Sequence, residues 1–242
     1  MIQTLEILYR DQWLVAINKP AGLLVHRSRI ASGAREFAVQ KLRGQIGQPV
    51  FLLHRLDRPT SGVLLFALDA DTARKMGQLF EQREIEKTYR AIVRGHLPDS
   101  GCWDRPLQER LDLISDDKAT TDKPAQSAIT EFASRRKWEI PFSTGKYPHS
   151  RYCEALIFPR TGRRHQIRRH CNHFAHPVIG DTTHGDRRHN RLFREQLEIN
   201  RLLLVASSVR FLHPATGEPM EINSPVGHEF EAAIGKLDQY SV

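Results

Sequence analysis

Two apolar runs, Val50-Phe-Leu-Leu53 and Val63-Leu-Leu-Phe-Ala-Leu68, bracket a polar nonapeptide, His54-Arg-Leu-Asp-Arg-Pro-Thr-Ser-Gly62. Short apolar runs bounded by turn residues read as buried strands. The fold must therefore carry a polar loop between two core strands and hold it at the surface. Asp57 lies on that loop, pinned by Pro59 and released by Gly62, so it is rigid yet open to solvent. Such a carboxylate is a candidate nucleophile or base. By residue type alone, an Asx-turn carboxylate that satisfies nearby N–H groups fits the same pattern.

The rest of the chain alternates strand and helix signals. Leu5–Asp11 and Trp13–Asn18 read as a strand pair and Ala34–Ile46 as a helix stopped by Gly47 and Pro49. Asp69–Ile85 is a helix with Ala73, Met76, Leu79 and Phe80 on one face, followed by a strand over 87–94. Residues 95–127 form a polar connection containing one irregular strand or hairpin. Further strands are expected at 129–132, 152–158, 202–212 and 220–223, with a loose hairpin over 137–150. No repeat or Pro/Gly/Ser-rich linker divides the chain. The expectation is one α+β domain over 1–242, a mixed, largely antiparallel sheet flanked by helices.

Composition narrows the function. At 242 residues and 40% hydrophobic, the chain can bury a core. It has no apolar run near the roughly 18 residues of a membrane helix. Three cysteines, Cys102, Cys153 and Cys171, share no ligand or disulfide spacing. A cytoplasmic location is expected. The net charge is +8, carried by 27 Arg and only 9 Lys, and arginine is the side chain whose planar fork fits phosphate and stacks on bases. Ten arginines against four acidic residues fall between Arg160 and Arg201. That excess suits a polyanion, and it equally suits a solvated basic face. The histidines at 165, 170, 173 and 176 with Cys171 lack zinc-ligand spacing, and no phosphate-loop glycine pattern is present. Neither a metal nor a nucleotide cofactor is expected.

The nonapeptide His54–Gly62 resembles the catalytic motif of the RluA-type pseudouridine synthases. Three further segments resemble that family in the same order: Leu8–Gly22 followed by Val25-His26, Glu86–Gly95, and Thr161-Gly-Arg-Arg-His-Gln-Ile-Arg168, with His176–Asp181 downstream. The resemblance spans nearly the whole chain, and it implies a central RNA-binding cleft and no separate N-terminal RNA-binding domain. It implies a cofactor-independent isomerase that flips a uridine out of RNA, with Asp57 attacking the target nucleotide, Tyr89 stacking on its base and Arg168 pairing with the catalytic carboxylate. It also implies that Arg55 fills the space left by the flipped base. His54, Arg58, Arg163, Arg164, Arg187 and Arg188 complete the expected RNA contacts. Within the family, the Arg58-Pro59 form of the motif and the Gly180–Asp186 stretch are most like members that act on tRNA at uridine 65 in the T-stem. The expected partner is therefore tRNA, and the expected state a monomer. A ribosomal-RNA synthase, a non-catalytic RNA-binding protein and a metal-dependent RNA hydrolase are the alternatives. If 164–175 is helical, Ile167, Cys171 and Phe174 form its core stripe, with Arg164 and Arg168 on a neighbouring face.

Overall fold

The computed structural model describes residues 4–26, 36–108 and 124–242. These carry ten strands and five helices in a mixed, mostly antiparallel α+β arrangement. Contacts group the chain into two compact units, one comprising 1–87, 108–126 and 206–225, the other 88–107, 127–205 and 226–242.

In the first unit, β1 (Glu6–Arg10) and β2 (Leu14–Lys19) form an antiparallel hairpin. The chain reverses there because the Asp11 carboxylate accepts the backbone N–H groups of Trp13 and Leu14 at 2.7 and 2.6 Å. β2 pairs with β4 (Ser61–Ala67), whose residues are all buried, and the two-residue β3 (Phe51–Leu52) also pairs with β4. Both apolar runs flanking the nonapeptide thus enter one sheet, but only the second is a buried strand: β3 is two residues long, Phe51 is exposed and Leu52 only half-buried, contrary to the expectation for 50–53. α1 (Ala38–Ile46) ends at Gly47, whose φ of 73° closes the helix in the left-handed conformation. The expected helix start, 34–35, lies outside the described residues. α2 (Ala70–Gln82) is capped by Asp69, which accepts from Thr72 N–H at 2.8 Å. Met76 is fully buried among Leu14, Leu65 and Phe211, with Ala73, Leu79 and Phe80 packed alongside, so the expected face is the buried one. β9 (Leu204–Leu212) and β10 (Pro219–Asn223) form a second hairpin.

The second unit is built on β5 (Glu86–Arg94), β8 (Ser150–Pro159), β7 (Ile129–Ile140) and β6 (Ser100–Asp104), hydrogen-bonded in that order. β7 runs unbroken from 129 to 140, where two shorter elements are expected from sequence. A bulge between Ser134 and Arg136 absorbs the polar interruption that breaks the alternation. Most of the connection between β6 and β7, residues 109–123, lies outside the described residues. α3 (Gln166–His173) is shorter than the expected 164–175, so Arg164 precedes the helix and is exposed. Ile167 and Cys171 are buried against β5 and β8 residues, with Phe174 packed beside them, as the stripe requires. α4 (Arg187–Gln196) and α5 (His228–Asp238) were not expected from sequence. They bury Leu192, Phe193, Phe230 and Leu237 against Trp138 and Tyr152 of the sheet.

Candidate active site

Asp57 is half-buried on a loop that the chain fixes from several directions. Its carbonyl accepts Thr60 N–H at 3.1 Å, closing the turn. The next residue is clamped by the segment after β2: Gly22 N–H donates to the Arg58 carbonyl at 2.8 Å, and Arg58 Nε donates back to the Gly22 carbonyl at 3.0 Å. Beneath this lies Lys19, fully buried, whose ammonium donates to the carbonyls of Pro20 and Leu23 at 2.9 Å each and of Arg58 at 3.2 Å. A buried ammonium is costly unless it is fully hydrogen-bonded. Lys19 meets that condition by binding backbone oxygens, and so ties the Asp57 loop to the end of β2.

His54 braces the start of the same loop. Its Nε2 accepts Leu65 N–H at 3.2 Å, and its ring lies 5.5 Å from that of Phe80. Burial, reinforced by the Lys87 charge, pushes its pKa down to about 3, so the imidazole is neutral. Gly62 closes the loop with φ of 112°, and a Cβ there would overlap the Ala206 backbone. Arg55 and Arg58 are exposed beside Asp57.

In the second unit, Tyr89 is half-buried on β5 opposite Ile157 and packs against the cluster that holds Ile167 and Cys171. Arg168, 3% exposed, makes a two-pronged bond to Asp181: Nε to Oδ2 and Nη2 to Oδ1, each 2.7 Å. Asp181 Oδ1 also accepts the N–H groups of Thr183 and His184 at 2.9 and 3.0 Å. Burial raises the Asp181 pKa, but the bonds from Arg168 and these two N–H groups outweigh it and the net shift is downward. The turn bearing Asp181 is equally specified. Gly180 has φ of 80°, and a Cβ would strike the Arg201 carbonyl. Asn190 of α4 accepts Gly180 N–H at 2.8 Å and donates to the Asp181 carbonyl at 2.9 Å. Sequence reasoning placed Asp181 in a motif without giving it a role, and it passed over Lys19 and Asn190.

The segment before α3 is held by Gln166, whose side chain accepts from Thr161 Oγ1 and Arg163 N–H and donates to the Ile129 carbonyl and Thr130 Oγ1, all at 2.7–3.0 Å. His165 enters the helix with φ of 53° and lies 2.9 Å, Nδ1 to Nε2, from His184. His170 is buried and spans Thr130 Oγ1 and the Arg105 carbonyl, and His176 meets the Arg94 carbonyl. Of the remaining expected RNA contacts, Arg163 donates to the Ser127 carbonyl at 3.1 Å, while Arg164, Arg187 and Arg188 are exposed.

The Asp57 loop thus presents one rigidly held carboxylate with two exposed arginines beside it, in a basic α+β chain. The family model for RNA pseudouridylate synthase matches residues 13–173, and the chain belongs to that family. A tRNA pseudouridine synthase C of Vibrio cholerae is 51% identical over 96% of both chains, and one of Salmonella typhimurium is 48% identical over 95% of this chain and 88% of its own. Among solved structures, human RNA Pseudouridylate Synthase Domain Containing 4 superposes with a TM-score of 0.70 at 26% identity, covering 96% of this chain and 93% of that one. Among the described residues, no helix is long and apolar enough to cross a membrane.

Proposed function

We propose that the chain, working as one catalytic domain over 1–242, isomerises a uridine of tRNA to pseudouridine, at position 65 of the T-stem. The observation that carries this reading is the Asp57 loop: an acidic residue on a basic protein, braced by a fully buried lysine and paired carbonyl and N–H contacts. A protein that only bound RNA would gain nothing from a rigid carboxylate facing phosphates. Asp57 attacks the target nucleotide, the N1–C1′ bond is exchanged for a C5–C1′ bond, and the C5 hydrogen is released to solvent as N1 takes up a proton. Atoms balance without a redox step. Tyr89 stacks on the base, and Arg168, oriented by Asp181, holds the Asp57 carboxylate charged as the RNA desolvates it. Arg55 fills the stack from which the uridine is flipped. Arg58, Arg163, Arg164, Arg187 and Arg188 meet phosphates, while His54 keeps the loop in place. The near full-length tRNA pseudouridine synthase C relatives support tRNA as substrate. The expected setting is cytoplasmic and the expected state monomeric, with no cofactor.

Tritium release from [5-³H]uridine-labelled tRNA tests this directly. The wild type releases one equivalent per modified site, and Asp57→Asn releases none while binding tRNA within about threefold. Release by Asp57→Asn at the wild-type rate would remove the mechanism. Release only from labelled ribosomal RNA would overturn the substrate.

A further inference from the structure

The 141–149 tip between β7 and β8 carries the most exposed aromatic side chain among the described residues, Tyr147 at 70%. Exposure of this kind is expected on a loose tip, yet this one is fastened. Ser150 Oγ donates to the Phe142 carbonyl at 2.7 Å, and the Ser143 hydroxyl bonds across Gly145 at 3.1–3.3 Å. Thr144 Oγ1 lies 3.1 Å from His189 Nε2 on α4, and the other nitrogen of that imidazole lies 2.8 Å from Tyr152 Oη. Burial lowers the His189 pKa, consistent with a neutral ring bridging tip, helix and sheet. The tip is therefore fixed against α4, with Arg188 reaching Gly145.

The outer face of α4 breaks a local rule. Arg187 and Arg188 occupy its first two positions, where the helix dipole disfavours cations, and the first turn has no acidic residue. Among the described residues no acidic side chain pairs with Arg187, Arg188 or Arg191. Lys146 Nζ sits 5.8 Å from the Tyr147 ring centroid, so a cation and a stacking plane are adjacent on the tip. Residues that oppose local stability and have no acidic partner among the described residues mark functional surface. Cations interleaved with an aromatic are the chemistry of single-stranded RNA, with phosphates on the charges and a base on the ring.

We propose that the β7–β8 tip and the outer face of α4 form one RNA-docking surface, with Tyr147 stacking an unpaired tRNA base and Lys146, Arg187, Arg188 and Arg191 gripping the flanking phosphates. This rests on the tRNA reading and adds a contact made by RNA other than the target uridine. The surface is linked to the catalytic arginine through hydrogen bonds: Thr144 to His189, and one residue on, Asn190 to the Gly180–Asp181 turn that holds Arg168. RNA seated on the tip is thereby registered against Arg168.

The test is tRNA affinity across a salt series for wild type, Tyr147→Ala, Tyr147→Trp and an Arg187→Gln/Arg188→Gln/Arg191→Gln triple variant. Leu212→Ala, an exposed apolar truncation in the first unit, serves as control. Loss of one stacked base predicts about tenfold weaker binding for Tyr147→Ala, with Tyr147→Trp within about twofold of wild type. The triple variant lowers the log–log salt slope by about two to three, and Leu212→Ala changes nothing. Melting curves of the Tyr147 and Leu212 variants should overlay that of wild type because those side chains are exposed, and the triple variant should melt at or slightly above wild type because it removes cations from a helix N-terminus. Tyr147→Ala binding within twofold of wild type, or an unchanged slope in the triple variant, would overturn the surface. Tritium release separates the two readings. A wild type that binds tRNA in a Tyr147-dependent way but releases no tritium from it sinks the tRNA isomerase reading and keeps the surface, whereas full release with Tyr147-independent binding sinks the surface alone.

Discussion

Asp181→Asn isolates the support of Arg168, the arginine proposed to hold the Asp57 carboxylate. The carboxylate is nearly inaccessible, accepts two bonds from Arg168 and two from backbone N–H groups, and is matched in volume by asparagine. Breaking a buried pair by removing one partner costs about 3–5 kcal/mol. Asparagine retains one acceptor for the backbone donors but points an amide N–H₂ at the guanidinium or withdraws it, so the lower end, about 3 kcal/mol, applies. For a chain of this size each kcal/mol moves the midpoint by roughly 2–4 °C, so the melt should fall by roughly 6–12 °C. Freed of its fork, Arg168 shifts, and a displacement of about 1 Å is worth about a hundredfold in rate. Turnover should therefore drop by about two orders of magnitude with tRNA affinity within threefold. The acid limb adds a check. The folded Asp181 pKa is depressed, so its stabilisation is present above the unfolded value of about 3.9 and is lost as pH falls through the folded value. The gap in melting temperature between wild type and variant should stay constant from pH 8 to 5 and narrow below about pH 4. A variant that melts within 2 °C of wild type at pH 7 and turns over at full rate would refute the assignment.

Three other outcomes follow from the same geometry. Lys19→Met keeps volume but strips three carbonyls of a buried donor, and unmet buried acceptors cost about 1–3 kcal/mol each; thermal melts should show a large loss, and the surviving folded fraction should turn over slowly. Gly62→Ala forces a Cβ into the Ala206 backbone and should leave little soluble protein, so a variant with wild-type yield and melting temperature would contradict the packing. His54 is held neutral below its unfolded pKa of about 6.5, so the folded state forgoes a proton and stability falls with decreasing pH by up to about 1.4 kcal/mol per unit. His54→Gln should lose less melting temperature than wild type between pH 7 and 4.5.

What the sequence displayed and what it concealed divide along the range of the interactions. β1, β2, β4 and α2 were legible because alternation, helical periodicity and the Asp69 cap are written within a dozen residues. α4 was not, because Leu192 and Phe193 are its only buried residues and give no helical period; His189 and Asn190 fasten it instead through polar contacts to distant segments. α5 begins at His228 behind a glycine N-cap, Gly227, with no capping side chain to announce it. The Asp57 loop was visible as a polar insert, but nothing local marked Lys19, whose role depends on the Arg58 carbonyl 39 positions away. Asp181 was hidden for the same reason, its function resting on Arg168, which reaches it from a different element.

The most direct measurement is carbodiimide mapping of pseudouridine in unmodified tRNA after incubation with wild type or with Asp57→Asn. The account predicts one new stop in the T-stem, at position 65, with wild type and none with the variant. The same stop with Asp57→Asn, or no new stop in tRNA with wild type, would contradict it.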